Sequence, residues 1–176
     1  MKSEVVEKFY MINGKLESTD GLEVFDKIKN LPIYEVIRVI DGIPLFLEEH
    51  LERMRKSAFL IDYPIERKDG EIEEDIKELI LQNHVRNLNI KLLCVDIDGI
   101  GQVFLTYFIK SFYPPTEYYK KGIHTILFQY ERENPNAKVQ RISFKEEIAE
   151  LLKANKAFEA LLVNKEGYIP EGSRSN

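Results

Sequence analysis

A single cysteine and three histidines leave this 176-residue chain without the means for several common chemistries. Cys94 has no partner for an internal disulfide. It stands in the apolar run Leu92-Leu93-Cys94-Val95, where a small buried hydrophobe is expected. His50, His84 and His124 are far apart and no cysteine or histidine stands at ligand spacing, so no metal is expected. No Gly-rich phosphate loop of the dinucleotide or Walker type is present, and no Gly-x-Ser-x-Gly elbow. No apolar run approaches the roughly 18 residues of a membrane span. The net charge of −5 comes without any long run of lysine or arginine, which argues against nucleic acid and anionic membrane as partners. Acids in the first eight residues stand where a signal peptide would have its apolar core. A reducing cytoplasm fits these absences.

What remains has the composition of an ordinary globular protein, long enough for one large domain or two small ones. Residues 5–12 suit a strand, and Asn13-Gly14 turns it back into Lys15 to Ser18. Residues 33–40 alternate, with Ile33, Glu35, Ile37 and Val39 on one face and Tyr34, Val36, Arg38 and Ile40 on the other. Asp41-Gly42 closes that strand, and Ile43 to Leu47 should pair back. From Glu48, Leu51, Met54, Ala58 and Ile61 recur at helical spacing, with Glu48, Glu49 and Glu52 placed to suit the helix dipole. A second helix fits Glu71 to about Arg86. The acidic stretch Glu66 to Asp75 reads as a loop running into an exposed helix face. Residues 89–97 and 102–109 make two more strands.

These elements predict an α+β fold with a mainly antiparallel first sheet. Pro114-Pro115 marks a linker over residues 113–121, between an N-terminal α+β domain (1–112) and a second segment (122–176). The second segment reads as a strand at 123–129, a turn at Asn134-Pro135-Asn136, a helix from Phe144 to Lys156, a strand from Phe158 to Val163 and a short return strand from Tyr168 to Pro170. So few elements would leave Ile123, Ile126, Phe128, Leu161, Leu162 and Val163 half covered, which suggests further chain or a second subunit over them.

Taken singly, the candidate site residues have ordinary readings. Lys138 follows a turn, as surface lysines do. Glu171 precedes Gly172 at a turn, where carboxylates are usually solvated. Arg53 reads as an exposed helix arginine, and Tyr34 as a strand tyrosine packed on a sheet. Their combination is more specific. Ile33-Tyr-Glu-Val-Ile-Arg-Val-Ile-Asp-Gly42, Leu47-Glu-Glu-His-Leu-Glu-Arg-Met54 with Ser57-Ala58, Asn136-Ala-Lys138, and residues 159–176 resemble the class IV aminotransferases, the fold-type IV pyridoxal-phosphate enzymes. That group includes branched-chain aminotransferases, D-amino-acid transaminases and aminodeoxychorismate lyases.

The resemblance implies a small N-terminal α/β sandwich and a cofactor domain that continues past residue 176, so that the chain alone holds part of the site and is expected to bind cofactor weakly or not at all. It implies pyridoxal 5'-phosphate as cofactor, held by Lys138 as a Schiff base, with Glu171 on the pyridine nitrogen and Arg53 on the phosphate. Tyr34 would stand near the substrate, or simply pack on the sheet. His50 belongs to the His-x-x-Arg motif in a structural role. The substrates would be an amino acid and a 2-oxo acid, and the assembly a homodimer. A lyase using the same first steps, or a non-catalytic relative serving dimerisation or regulation, are the alternatives. The interval from Lys138 to Glu171 equals that of the lyase branch. Two departures stand out: Lys29-Asn30-Leu31-Pro32 replaces the usual Gly-Asp-Gly, and residues 87–110 hold no Arg-x-His pair of the D-amino-acid type.

Overall fold

The computed structural model describes residues 2–28, 33–111, 113–130 and 142–175, of which those up to Ser111 belong to one compact unit and those from Tyr113 to another. The first unit opens with a short 3-10 turn, Lys2–Glu4, then β1 (Val5–Ile12), β2 (Lys15–Ser18), α1 (Glu23–Asp26), β3 (Ile33–Ile40), β4 (Ile43–Pro44), α2 (Leu47–Leu60), α3 (Asp69–Asn83), β5 (Asn89–Ile97) and β6 (Gly101–Ile109). The six strands form one sheet in the order β2-β1-β6-β5-β3-β4, with every paired neighbour antiparallel. The fold is α+β, as the alternating and helical periods predict.

The alternation of β3 decides what lies on each side. Ile33, Glu35, Ile37 and Val39 are all buried, and Tyr34, Val36 and Arg38 only partly so. The buried row faces Leu51, Met54 and Ala58 of α2 and Ile72, Ile76 and Leu79 of α3 in one apolar cluster. The other sheet face packs Leu93, Val95, Leu105 and Tyr107 under Phe25 and Ile28, with Tyr34 at its margin. The helix α1 that supplies Phe25 is not visible in the sequence pattern, since four residues carry no period.

Three other departures have local causes. The return arm after Gly42 is only two residues long, because Phe46 turns into the left-handed region at φ 53° and α2 starts at once. The acidic stretch does not end on an exposed face: Asp75 is buried and accepts from Arg67 Nε at 2.9 Å and Nη2 at 2.7 Å. Burial pushes the Asp75 carboxyl above its ordinary value, with Arg67 opposing. Strand β1 carries an irregularity between Val6 and Met11, with Glu7 at φ 72°. Asn83, the last residue of α3, fills it: its Oδ1 accepts from the amides of Lys8 and Phe9, and its Nδ2 donates to the Phe9 carbonyl.

The second unit holds α4 (Thr116–Lys121), β7 (Thr125–Gln129), α5 (Ile142–Ala154), β8 (Glu159–Val163) and β9 (Glu171–Gly172). A short helix thus occupies the stretch read as a linker: the prolines precede it, with Pro115 at its N-cap, rather than interrupt it. Strands β7 and β8 are parallel and β9 is antiparallel to β8. Ile148 and Leu152 of α5 bury Ala160 and Leu162. Ile126, Phe128, Leu161 and Val163 are half-buried and Ile123 is exposed, so part of the apolar surface expected to be uncovered is so in this unit. The return strand falls on Glu171–Gly172, not on Tyr168 to Pro170. Among the described residues no helix is long and apolar enough to cross a membrane.

Candidate active site

His50 and Arg53 stand three residues apart on α2 and so share one helix face. That face lies over β3, where Glu35 is fully buried. Arg53 Nε donates to Glu35 Oε1 at 2.7 Å and Arg53 Nη2 to Oε2 at 2.5 Å, a two-pronged match of fork to carboxylate. His50 Nδ1 is 2.9 Å from Oε2. Glu35 can only accept, so the proton of Nδ1 is assigned to that bond, and Arg53 Nη2 lies 3.1 Å from the same nitrogen. The hydrogen bond to Glu35 holds the Arg53 guanidinium above its ordinary pKa, with burial opposing. Half of the Arg53 side chain stays exposed, and its Nη1 makes no hydrogen bond to a described residue. Glu35 was read from the sequence only as a strand residue. The signal that could have marked it was a carboxylate on the apolar face of β3, opposite a His-x-x-Arg pair.

Tyr34 leaves β3 on the other face, as neighbouring strand residues must. Lys91 of β5 lies over its ring, Nζ 5.2 Å from the centroid. The lysine is itself buried and donates to Glu4 Oε1 at 2.6 Å, and the Tyr107 hydroxyl donates to the same oxygen at 3.0 Å. Burial first, and Glu4 second, push the Tyr107 hydroxyl well above the ordinary tyrosine range. A cation thus sits beside the candidate substrate tyrosine. Its sequence signal was a lysine inside the apolar run 90–95. A shallow apolar groove of about 380 Å³ between Pro44, Leu47, Ile76 and Leu81 includes none of these groups.

In the second unit Glu171 lies on β9, its backbone in register with Leu162. The turn that follows is tied to one buried carboxylate, Glu159. Its Oε1 accepts from the amides of Ala160 and Ser173, at 2.9 and 3.1 Å, and from the Ser173 hydroxyl, and its Oε2 from the Ser175 hydroxyl at 3.2 Å. Gly172 suits this close approach: a Cβ there would stand 3.2 Å from Glu159 Cδ and would make the Ser175 hydroxyl move aside. Glu159 is a supporting neighbour of Gly172 that the sequence motif contained without a role.

Lys138, the Asn134-Pro135-Asn136 turn and Lys29 to Pro32 lie outside the described residues. Arg53 and Tyr34 therefore have places in the first unit and Glu171 in the second, each with its own neighbours. Among the described residues no group of three or more His, Cys, Asp or Glu gathers as a metal site.

Residues 32–176 match the family described as amino-transferase class IV. The chain is 27% identical to a putative branched-chain-amino-acid aminotransferase of Methanocaldococcus jannaschii, over 96% of its own length and 64% of that protein. Over 31% of its length it is 38% identical to the D-alanine aminotransferase of Bacillus licheniformis, covering 19% of that protein. Among solved structures it resembles the T.th. branched-chain amino acid aminotransferase with pyridoxamine 5'-phosphate, at a TM-score of 0.77 and 24% identity over 97% of this chain and 64% of that one. A putative 4-amino-4-deoxychorismate lyase from Legionella pneumophila gives a TM-score of 0.65 at 20% identity, over 86% of this chain and 59% of that one. These likenesses show the fold. The chain spans just under two thirds of the length of the Methanocaldococcus jannaschii relative and of the T.th. enzyme.

Proposed function

The chain belongs to the class IV aminotransferases, and from that membership we propose that it carries part of the active site of a pyridoxal-phosphate-dependent aminotransferase. The reaction moves an amino group between an amino acid and a 2-oxo acid. One observation carries the reading: the family match over residues 32–176 spans Tyr34, Arg53, Lys138 and Glu171 together. Residues 1–112 would form the N-terminal domain, 113–121 the connection, and 122–176 part of the cofactor domain. A cytoplasmic homodimer completes the proposal.

The residues fit the cofactor where their surroundings are known. The second edge of the Arg53 fork makes no hydrogen bond to a described residue, and a half-exposed guanidinium suits a phosphate dianion. Glu171 stands on β9 just before a turn pinned by Glu159, which suits a carboxylate that must meet a ring nitrogen at a fixed place. When bound, the cofactor supplies an aldehyde for an amine and a ring that withdraws electrons. Lys138 would be the amine that holds the aldehyde, and its amine would also serve to move the proton at the substrate carbon. Glu171 would pair with the ring nitrogen and favour its protonated form. Tyr34, with the Lys91 cation against its ring, borders the substrate.

The lyase reading has its own support in the Legionella pneumophila neighbour and in the Lys138 to Glu171 interval. Both readings share the lysine. The protein expressed from its intact gene is expected to show a visible absorbance band with pyridoxal 5'-phosphate, and Lys138→Ala to lose the band and the turnover together. An unchanged spectrum in the variant would sink the lysine assignment. Release of more than one equivalent of a 2-oxo acid per site only when an acceptor oxo acid is present separates transfer from lysis.

A further inference from the structure

Glu35 is a fully buried charge in the first unit for which the proposed chemistry has no use. Its strand neighbours on the same face, Ile33 and Ile37, are buried hydrophobes. A carboxylate in that row is costly to desolvate, and an apolar residue of similar size would join strand to helix at least as well. Its partners are specific. Arg53 meets it with Nε and Nη2, and His50 Nδ1 closes on the same carboxylate at 2.9 Å. Only one edge of the guanidinium is engaged by these bonds. The arginine is clamped from behind, while half of its side chain is exposed.

We propose that Glu35 is a positioning residue, which fixes the Arg53 guanidinium so that its Nη1 edge meets the cofactor phosphate, with His50 steadying the carboxylate. The proposal rests on the reading of Arg53 as the phosphate ligand. A flexible arginine would lose side-chain freedom on meeting a phosphate. One already held by two charge-assisted bonds has lost it on folding. The orientation matters because the fork binds a phosphate in its own plane.

The test compares the affinities of pyridoxal 5'-phosphate and unphosphorylated pyridoxal by absorbance titration of the intact gene product. The wild type should prefer the phosphorylated form. Glu35→Gln keeps the volume but presents an amide N–H₂ to a donor, and should weaken pyridoxal 5'-phosphate by roughly tenfold or more, the weight of a charge-assisted hydrogen bond. Its affinity for pyridoxal should stay within about twofold, which a purely structural role would not spare. Equal loss of both ligands, loss of neither, or tighter binding of the phosphorylated form overturns the proposal. If Glu35→Gln does not fold, His50→Gln replaces it, with the same selective loss expected and uniform or no loss contradicting it. Arg53→Gln separates the two layers. If it keeps the preference for phosphate, the reading of Arg53 itself fails. If it loses the preference while Glu35→Gln keeps it, only the role of Glu35 fails.

Discussion

Cys94 has no exposed surface on β5, and burial pushes its thiol up to about 12. The thiolate is the reactive form, so alkylation of the native chain at neutral pH should be at least about a hundredfold slower than in urea. Comparable rates in the two states would place Cys94 at the surface. This residue was legible in the sequence, because its apolar neighbours alone determine its burial. Glu35, Asp75 and Lys91 were not legible. Each is a charge buried beside a partner from another element or turn: Arg53 of α2, Arg67 of the preceding loop, Glu4 of the N-terminal turn. Strand and helix periods assign a face to a side chain and say nothing of the group waiting there. Arg53 shows the difference most clearly. The motif marked it, but not that half its fork is taken by β3.

At the scale of elements, periodicity carried β3, α2, α3, β5 and β6 to within a few residues, since each buries a regular stripe. The places where it failed are held by single side chains. Asn83 caps the irregularity of β1 with three bonds to the backbone of residues 8 and 9. Asn83→Ala removes that acceptor and donor and is expected to cost about 1–3 kcal/mol, read as a lower urea midpoint at unchanged slope. A loss under about half a kcal/mol would mean that water replaces the amide without cost. Strand β9 falls at Glu171–Gly172 and not earlier, where Glu159 gathers the Ser173 amide and two serine hydroxyls. Glu159→Ala should therefore speed hydrogen exchange at the Gly172 and Ser173 amides several-fold and leave the first sheet unchanged. Unaltered exchange at those two amides would remove Glu159 as the anchor of the turn.

For the whole molecule, the family was legible because four motifs recur in order along the chain, and the match over residues 32–176 agrees. The α+β class followed from the same periods that built the first sheet. The candidate site was legible only as a set of residues. The side chains that back each of them come from segments distant in the chain, which spacing in the sequence does not encode. The physical content added by the structure lies in the supports: Glu35 behind Arg53 and Glu159 behind the turn of Glu171. The claim on which the functional reading turns is the identity of the nucleophile. Borohydride reduction of the intact gene product with pyridoxal 5'-phosphate, followed by peptide mass spectrometry, tests it most directly. The phosphopyridoxyl mass is predicted on the peptide that contains Lys138, and is predicted to vanish in Lys138→Ala. A modification spread over other lysines without preference for Lys138, or none at all, would contradict the account.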